Sequence, residues 1–224
     1  MNGVKLEMRE GVAWITIDDG KVNALGVDKF AAITTHLAEA ERNHAQVVLK
    51  GRPGIFSAGF DLKALGGNRD QQVELLSAGM DLILAFLRHP HPITCLCTGH
   101  AYPMGAFLML CSDYRIGVEG NWKIGMNEVA IGITVPPFAL ALANHRLTRP
   151  GVARVGTAAM MNPGRAMEYG YLDEVVAETQ LDTVVQKVLA EFATLDLPSY
   201  IATKQAMNKQ VITEVIASKS MFAQ

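Results

Sequence analysis

Two kinds of feature in this chain of 224 residues are equipped for chemistry. One is a carboxyl group in apolar company. Glu128 ends the run Gly125-Met126-Asn127-Glu128 and precedes Val129-Ala130-Ile131-Gly132-Ile133. Desolvation in such a setting raises a carboxyl pKa toward the range of a working general base. The other is a pair of turns, each directly after an apolar run. Gly51 to Leu65, with Gly51, Pro53, Gly54 and Gly59, follows the strand-like Gln46–Lys50. Its Gly and Pro content predicts a turn, not the middle of a helix or regular strand. Gly99 to Phe107 follows the strand-like Ile93–Thr98, and Gly105 to Cys111 reads as a short apolar helix. A strand entering such a turn can aim a backbone N–H at an anionic oxygen. A helix N-terminus adds unpaired N–H groups and the positive end of a dipole, which favour an enolate oxygen as they do any anion. Local sequence keeps plainer readings open: a tight turn, and a capping or salt-bridged carboxylate.

The elements that must position these groups alternate along the chain. Val4–Met8 and Val12–Asp18 are strand-like, with Glu10-Gly11 as a hairpin turn. Asp28 to about Arg42 is helical, with Phe30, Ile33, Leu37 and Ala38 on one face. After the strand at 46–50 and the first turn, 66–70 reads as a loop and 71–87 as a well-buried helix. His89-Pro90-His91-Pro92 ends it, and its histidines read as a surface turn rather than ligands. A strand at 93–98, a strand-like 113–118 and a helix from Val135-Pro136-Pro137 to about Arg146 follow. Two short helices, 150–160 and 162–169, precede a strand at 172–176 and helices at 181–192 and 199–218. Strand, turn and helix in succession predict an α/β fold.

Composition excludes several classes. Half the residues are hydrophobic, enough for a sizeable core, and the formal charge of −2 argues against nucleic-acid binding by bulk electrostatics. No apolar run approaches the roughly 18 residues of a membrane span, and Met1 to Lys5 lacks the apolar core of a secretory signal. Cys95, Cys97 and Cys111 read as buried reduced thiols of a cytoplasmic protein, without a metal.

The stretch Phe56-Ser57-Ala58-Gly59-Phe60-Asp61-Leu62 resembles the signature of the crotonase family, the enoyl-CoA hydratases and isomerases. The resemblance runs from about Val12 to about Lys209. It implies a spiral of repeated β-β-α units, residues 1–195, with a helical C-terminal region, 196–224, that covers the site and packs between subunits. It also implies trimers or pairs of trimers. By this resemblance the Phe60 N–H forms half of an oxyanion hole for the thioester carbonyl of an acyl-CoA. The spacing from Gly99 to Asp113 matches the family without a gap, which puts the second donor on Met104. Proline at 103 has no N–H to offer. Met104 has one, and its side chain must fit beside the substrate.

The same count puts Phe107 where hydratases carry one of two catalytic glutamates. Water addition uses two carboxyl groups, whereas Phe107 offers apolar surface that excludes water. Ile124-Gly125-Met126-Asn127-Glu128, Leu110 to Ile116 and Arg52 to Gly59 are similar to the Δ3,Δ2-enoyl-CoA isomerases, in which the glutamate matching Glu128 is the single base. The resemblance further implies a substrate site that includes Lys21, Asn23, Ala24, Ala58, Gly59, Asp61, Leu62, Lys63 and Gly105, with Lys21 and Lys63 set for the phosphates of CoA. Coenzyme A is then a substrate carrier, and no other cofactor is implied. The reading is an isomerase that moves a 3-enoyl-CoA double bond to position 2. The rivals are a hydratase and a non-catalytic acyl-CoA-binding scaffold.

Overall fold

The computed structural model describes residues 3–222. The chain opens with an antiparallel hairpin, β1 (Val4–Arg9) and β2 (Val12–Ile17), then α1 (Val27–Arg42), β3 (Gln46–Lys50) and β4 (Gly54–Ser57). Next come α2 (Leu62–Leu65), α3 (Arg69–Arg88), β5 (Ile93–Cys97), β6 (Gly99–Ala101), α4 (Pro103–Cys111) and β7 (Tyr114–Val118). The remainder is mostly helical: α5 (Pro137–Arg146), α6 (Arg149–Val155), α7 (Pro163–Glu168), β8 (Glu174–Val176), α8 (Leu181–Ala193) and α9 (Leu197–Phe222).

Six strands form one sheet in the order β1-β2-β3-β5-β7-β8, parallel after the first pair. Its inner strands are covered on both faces, which is why they read as unbroken apolar runs. Val47 and Leu49 point into the main core, while Val48 meets Leu96, Ile116 and the α8 residues Val185, Val188 and Leu189. The three cysteines are free and buried, and burial pushes the Cys97 thiol up to about 12. Such thiols are poor nucleophiles.

A second, short parallel sheet pairs β4 with β6. The Gly- and Pro-rich content of 51–65 predicted only a turn, yet Gly54–Ser57 is a strand. Glycine serves here as a point of backbone contact. A Cβ on Gly99 would lie 2.0 Å from the Gly54 carbonyl carbon, and one on Gly51 would lie 2.5 Å from the Ile55 oxygen. Other boundaries also move. The 66–70 loop is short because Asn68 caps α3 reciprocally with Gln71, so the helix starts at Arg69. The helix expected over 150–160 stops at Val155, where the chain turns and Ala158 takes φ 52°.

His89 and His91 are buried, contrary to the surface turn read from their prolines. The segment is drawn inward because Pro92 O accepts a hydrogen bond from Val47 N (2.9 Å) and α9 lies beside it. Their rings pack edge to face at 5.9 Å. Burial, helped by the Lys204 charge, lowers the His89 pKa to about 3. The unfolded chain takes this proton near pH 6.5, while the native state resists it until about pH 3. Stability therefore falls as pH drops through that window, by roughly 2 kcal/mol at pH 5. Urea unfolding at pH 7 and pH 5 should show a smaller loss in His89→Gln than in the parent chain.

Helix α9 is fixed in its first third by Lys204, whose Nζ lies 2.7 Å from the Asp113 carboxylate in a nearly buried ion pair. It packs against α3 and α5.

Candidate active site

The second sheet brings three chain exits together. Tyr102 N donates to Ser57 O (2.9 Å), Ala101 N to Lys123 O (2.9 Å) and Gly125 N to Ala101 O (3.1 Å). The segments after Ser57, Ala101 and Ile124 therefore leave neighbouring rungs at the same edge. They carry Phe60, Met104 and Glu128.

At the first exit, Gly59 has φ +91°, a left-handed conformation that suits glycine. A Cβ there would also come within 3.4 Å of Pro103 N, so the first two exits touch. Gly59 O accepts from Leu25 N, and Asp61 N donates to Leu25 O. The Phe60 N–H between them has no acceptor among the described residues. The Phe60 ring packs edge-on against Phe30 and Phe107. Asp61 caps α2 by accepting from Lys63 N (2.9 Å), while the Lys63 side chain is exposed and lines neither of the two large cavities.

At the second exit, Pro103 occupies the first position of α4, whose earliest intrahelical bond runs from Ala106 N to Tyr102 O. The Met104 N–H thus remains one of the unpaired donors of a helix N-terminus. Its side chain is fully buried in the main core, so it does not crowd the cavity as the sequence had implied; Tyr102 and Pro103 form that wall. Gly105 lets α4 lie against β4, since a Cβ would meet Ser57 Cβ at 2.8 Å.

At the third exit, Glu128 precedes a 3-10 turn over Val129–Ile131. It is 6 % exposed, and its Oε2 has no partner. Burial raises its pKa above the ordinary carboxyl value of 4.5.

All three exits border a cavity of about 590 Å³. Ala58, Phe60, Leu62, Phe107 and Glu128 line it, and Glu128 is its only carboxylate among the described residues. Asn23 does not reach it. That side chain is fully buried, donates to Ile17 O and Phe56 O, and accepts from Asp19 N, so it secures the loop between β2 and α1. Lys21, Ala24 and Asp61 line a separate polar cavity of about 750 Å³, where Lys29 pairs with Asp19 at 2.6 Å.

Sequence reasoning missed Tyr102 and Asn127, the wall from Ile131 to Pro137, and the contributions of Leu65, Leu76 and Phe222. The Pro136-Pro137 pair signalled a helix start, but nothing in its composition signalled a cavity wall. Phe222 carries no local signal at all.

An α/β fold with a helical C-terminal region, and a buried carboxyl group on a largely apolar cavity, fit a crotonase-type enzyme. The chain belongs to the enoyl-CoA hydratase/isomerase family, whose model matches residues 7–222. It is 28% identical over 226 residues to rat mitochondrial enoyl-CoA delta isomerase 1, covering 96% of this chain and 77% of that protein. It is 26% identical to a probable enoyl-CoA hydratase of Bacillus subtilis, covering 100% of this chain and 85% of that one. Among solved structures, an enoyl-CoA hydratase/isomerase family protein from Pseudomonas syringae superposes with a TM-score of 0.95 at 37% identity, covering 98% of this chain and 96% of that one.

Proposed function

We propose that this enzyme converts 3-enoyl-CoA thioesters to their 2-enoyl isomers with Glu128 as the only proton carrier. The observation that carries the reading is the single carboxylate in a cavity otherwise walled by apolar groups, with Phe107 fully buried in that wall. The thioester oxygen sits between the N–H groups of Phe60 and Met104. Ionised Glu128 takes a proton from C2, and the electron pair moves through the carbonyl to give a dienolate. The two donors stabilise its oxygen, each by roughly 10²–10³ in rate. The protonated carboxyl then delivers the same proton to C4, and the double bond settles between C2 and C3. On this reading Lys21, which lines the polar cavity, meets the carrier's phosphates, and the second cation expected there, Lys63, acts only if its exposed side chain swings in.

Water addition uses a second carboxyl group, and Asp61, the carboxylate next to Phe60, is engaged in capping α2. Conjugation with the thioester makes the test simple. Purified protein given a 3-enoyl-CoA should raise the ultraviolet absorbance. A 2-enoyl-CoA given to the same protein should not lose absorbance by hydration; rapid loss would favour the hydratase. Binding without either change would leave the scaffold.

Proton removal requires ionised Glu128, and its carboxyl titrates above 4.5 because it is buried. The rate should therefore climb with pH through an apparent pKa higher than that of an exposed glutamate. A kcat/KM profile from pH 4.5 to 8 checks this, and a flat profile would assign the base elsewhere.

A further inference from the structure

One side of the cavity is walled by Leu65, Leu76 and Phe222, side chains that the reaction does not use. Asn208 Nδ2 donates to Leu87 O (2.9 Å), and Lys219 pairs with Asp81, so α9 runs antiparallel to α3. Continuing that register brings Phe222 beside the early part of α3, where Leu76 lies. Leu76, Phe222 and Leu65 of α2 all line the cavity. Its polar lining groups are few: Tyr102, Asn127, Glu128 and Thr134. A hydroxylated or carboxylated tail at the Leu65–Leu76–Phe222 side would lose its hydration without gaining a partner.

We propose that this side is an acyl-chain site for an unsubstituted tail of medium length, with Phe222 setting its depth. The inference rests on the acyl-CoA reading above. At roughly 30 Å³ per chain atom, the share of one water in its liquid, the volume corresponds to about 20 non-hydrogen atoms. The thioester and the inner end of the carrier arm take part of that space. An acyl group of about 8 to 12 carbons fills the rest on the same count.

The test uses saturated acyl-CoAs from four to sixteen carbons, which bind but are not isomerised, titrated calorimetrically into the full chain. Affinity should rise about fourfold per methylene while the tail is being buried, then level off or fall beyond about twelve carbons, the limit set by the volume count. Phe222→Ala should move that limit to longer tails, and Leu76→Phe should move it to shorter ones. Thermal melts of both variants establish that they fold. A flat affinity from four to twelve carbons would overturn the proposal. A limit that stays put in both folded variants would remove Phe222 and Leu76 from it. Because these ligands need no turnover, the two readings fail separately. Length-dependent binding without isomerisation sinks the isomerase and leaves this site, whereas isomerisation with flat binding does the reverse.

Discussion

Glu128→Gln should lose isomerisation by about 10²–10⁴, the usual contribution of a positioned general base, and should still bind acyl-CoA. The substitution is close to isosteric, and Oε2 has no protein partner to strand. The backbone donors lie on separate exits, held by hydrogen bonds to Ser57 and Leu25 that do not involve Glu128. Absorbance assays and calorimetry on one preparation separate the two effects. Retained turnover would place the base elsewhere. Stability should move the other way. Burial raises the Glu128 pKa, so between the unfolded and folded values the native state holds the extra proton, and stability falls as pH rises through that interval. The neutral amide escapes this penalty, so Glu128→Gln should melt above the parent at pH 8 and close to it at pH 4.

Gly99→Ala should have the largest effect on stability of the Gly→Ala changes, since its added Cβ makes the shortest contact. The new Cβ would lie 2.0 Å from the Gly54 carbonyl carbon and 2.4 Å from Ile55 N. Both are backbone atoms, so no side chain can rotate away. Overpacking against a mobile neighbour costs about 1–3 kcal/mol, and more where the neighbour cannot yield. At about 2–4 °C per kcal/mol for a domain of this size, a loss above about 3 kcal/mol lowers Tm by about 6–12 °C or more. Because β4 and β6 end at the donors Phe60 and Met104, catalysis should fall before the protein unfolds. A normal Tm in this variant would mean that the two strands can separate without consequence. Gly54→Ala makes a useful contrast. Its Cβ meets nothing within 4 Å, so its cost comes from φ +84° alone.

What was legible in the sequence divides by the range of the interaction. Buried strands such as Gln46–Lys50 and Ile93–Cys97 stand out because both of their faces are covered. The site motifs around Phe60, Met104 and Glu128 were legible through resemblance, since local composition alone favoured turns and caps. The β4–β6 sheet was hidden because its pairing depends on glycines that elsewhere mark turns. The burial of His89 and His91 was hidden because residues distant in sequence surround them, among them His44, whose ring packs on His91 at 5.8 Å, and Lys204 of α9. Phe222 and Leu76 were missed for the same reason: they meet only through the antiparallel packing of two helices distant in sequence.

The three exits from the short sheet also separate the frame from the tool. Neighbouring strands stand about 4.8 Å apart whatever their side chains, so the rungs fix the distances between reacting groups through main-chain bonds alone. The groups mounted on them can then change one at a time. A carboxylate at position 107 in place of phenylalanine would add a second proton carrier while both N–H donors kept their places. On the isomerase reading proposed above, a shift from isomerisation to hydration would turn on that one side chain, with the backbone positions of Phe60 and Met104 left unchanged.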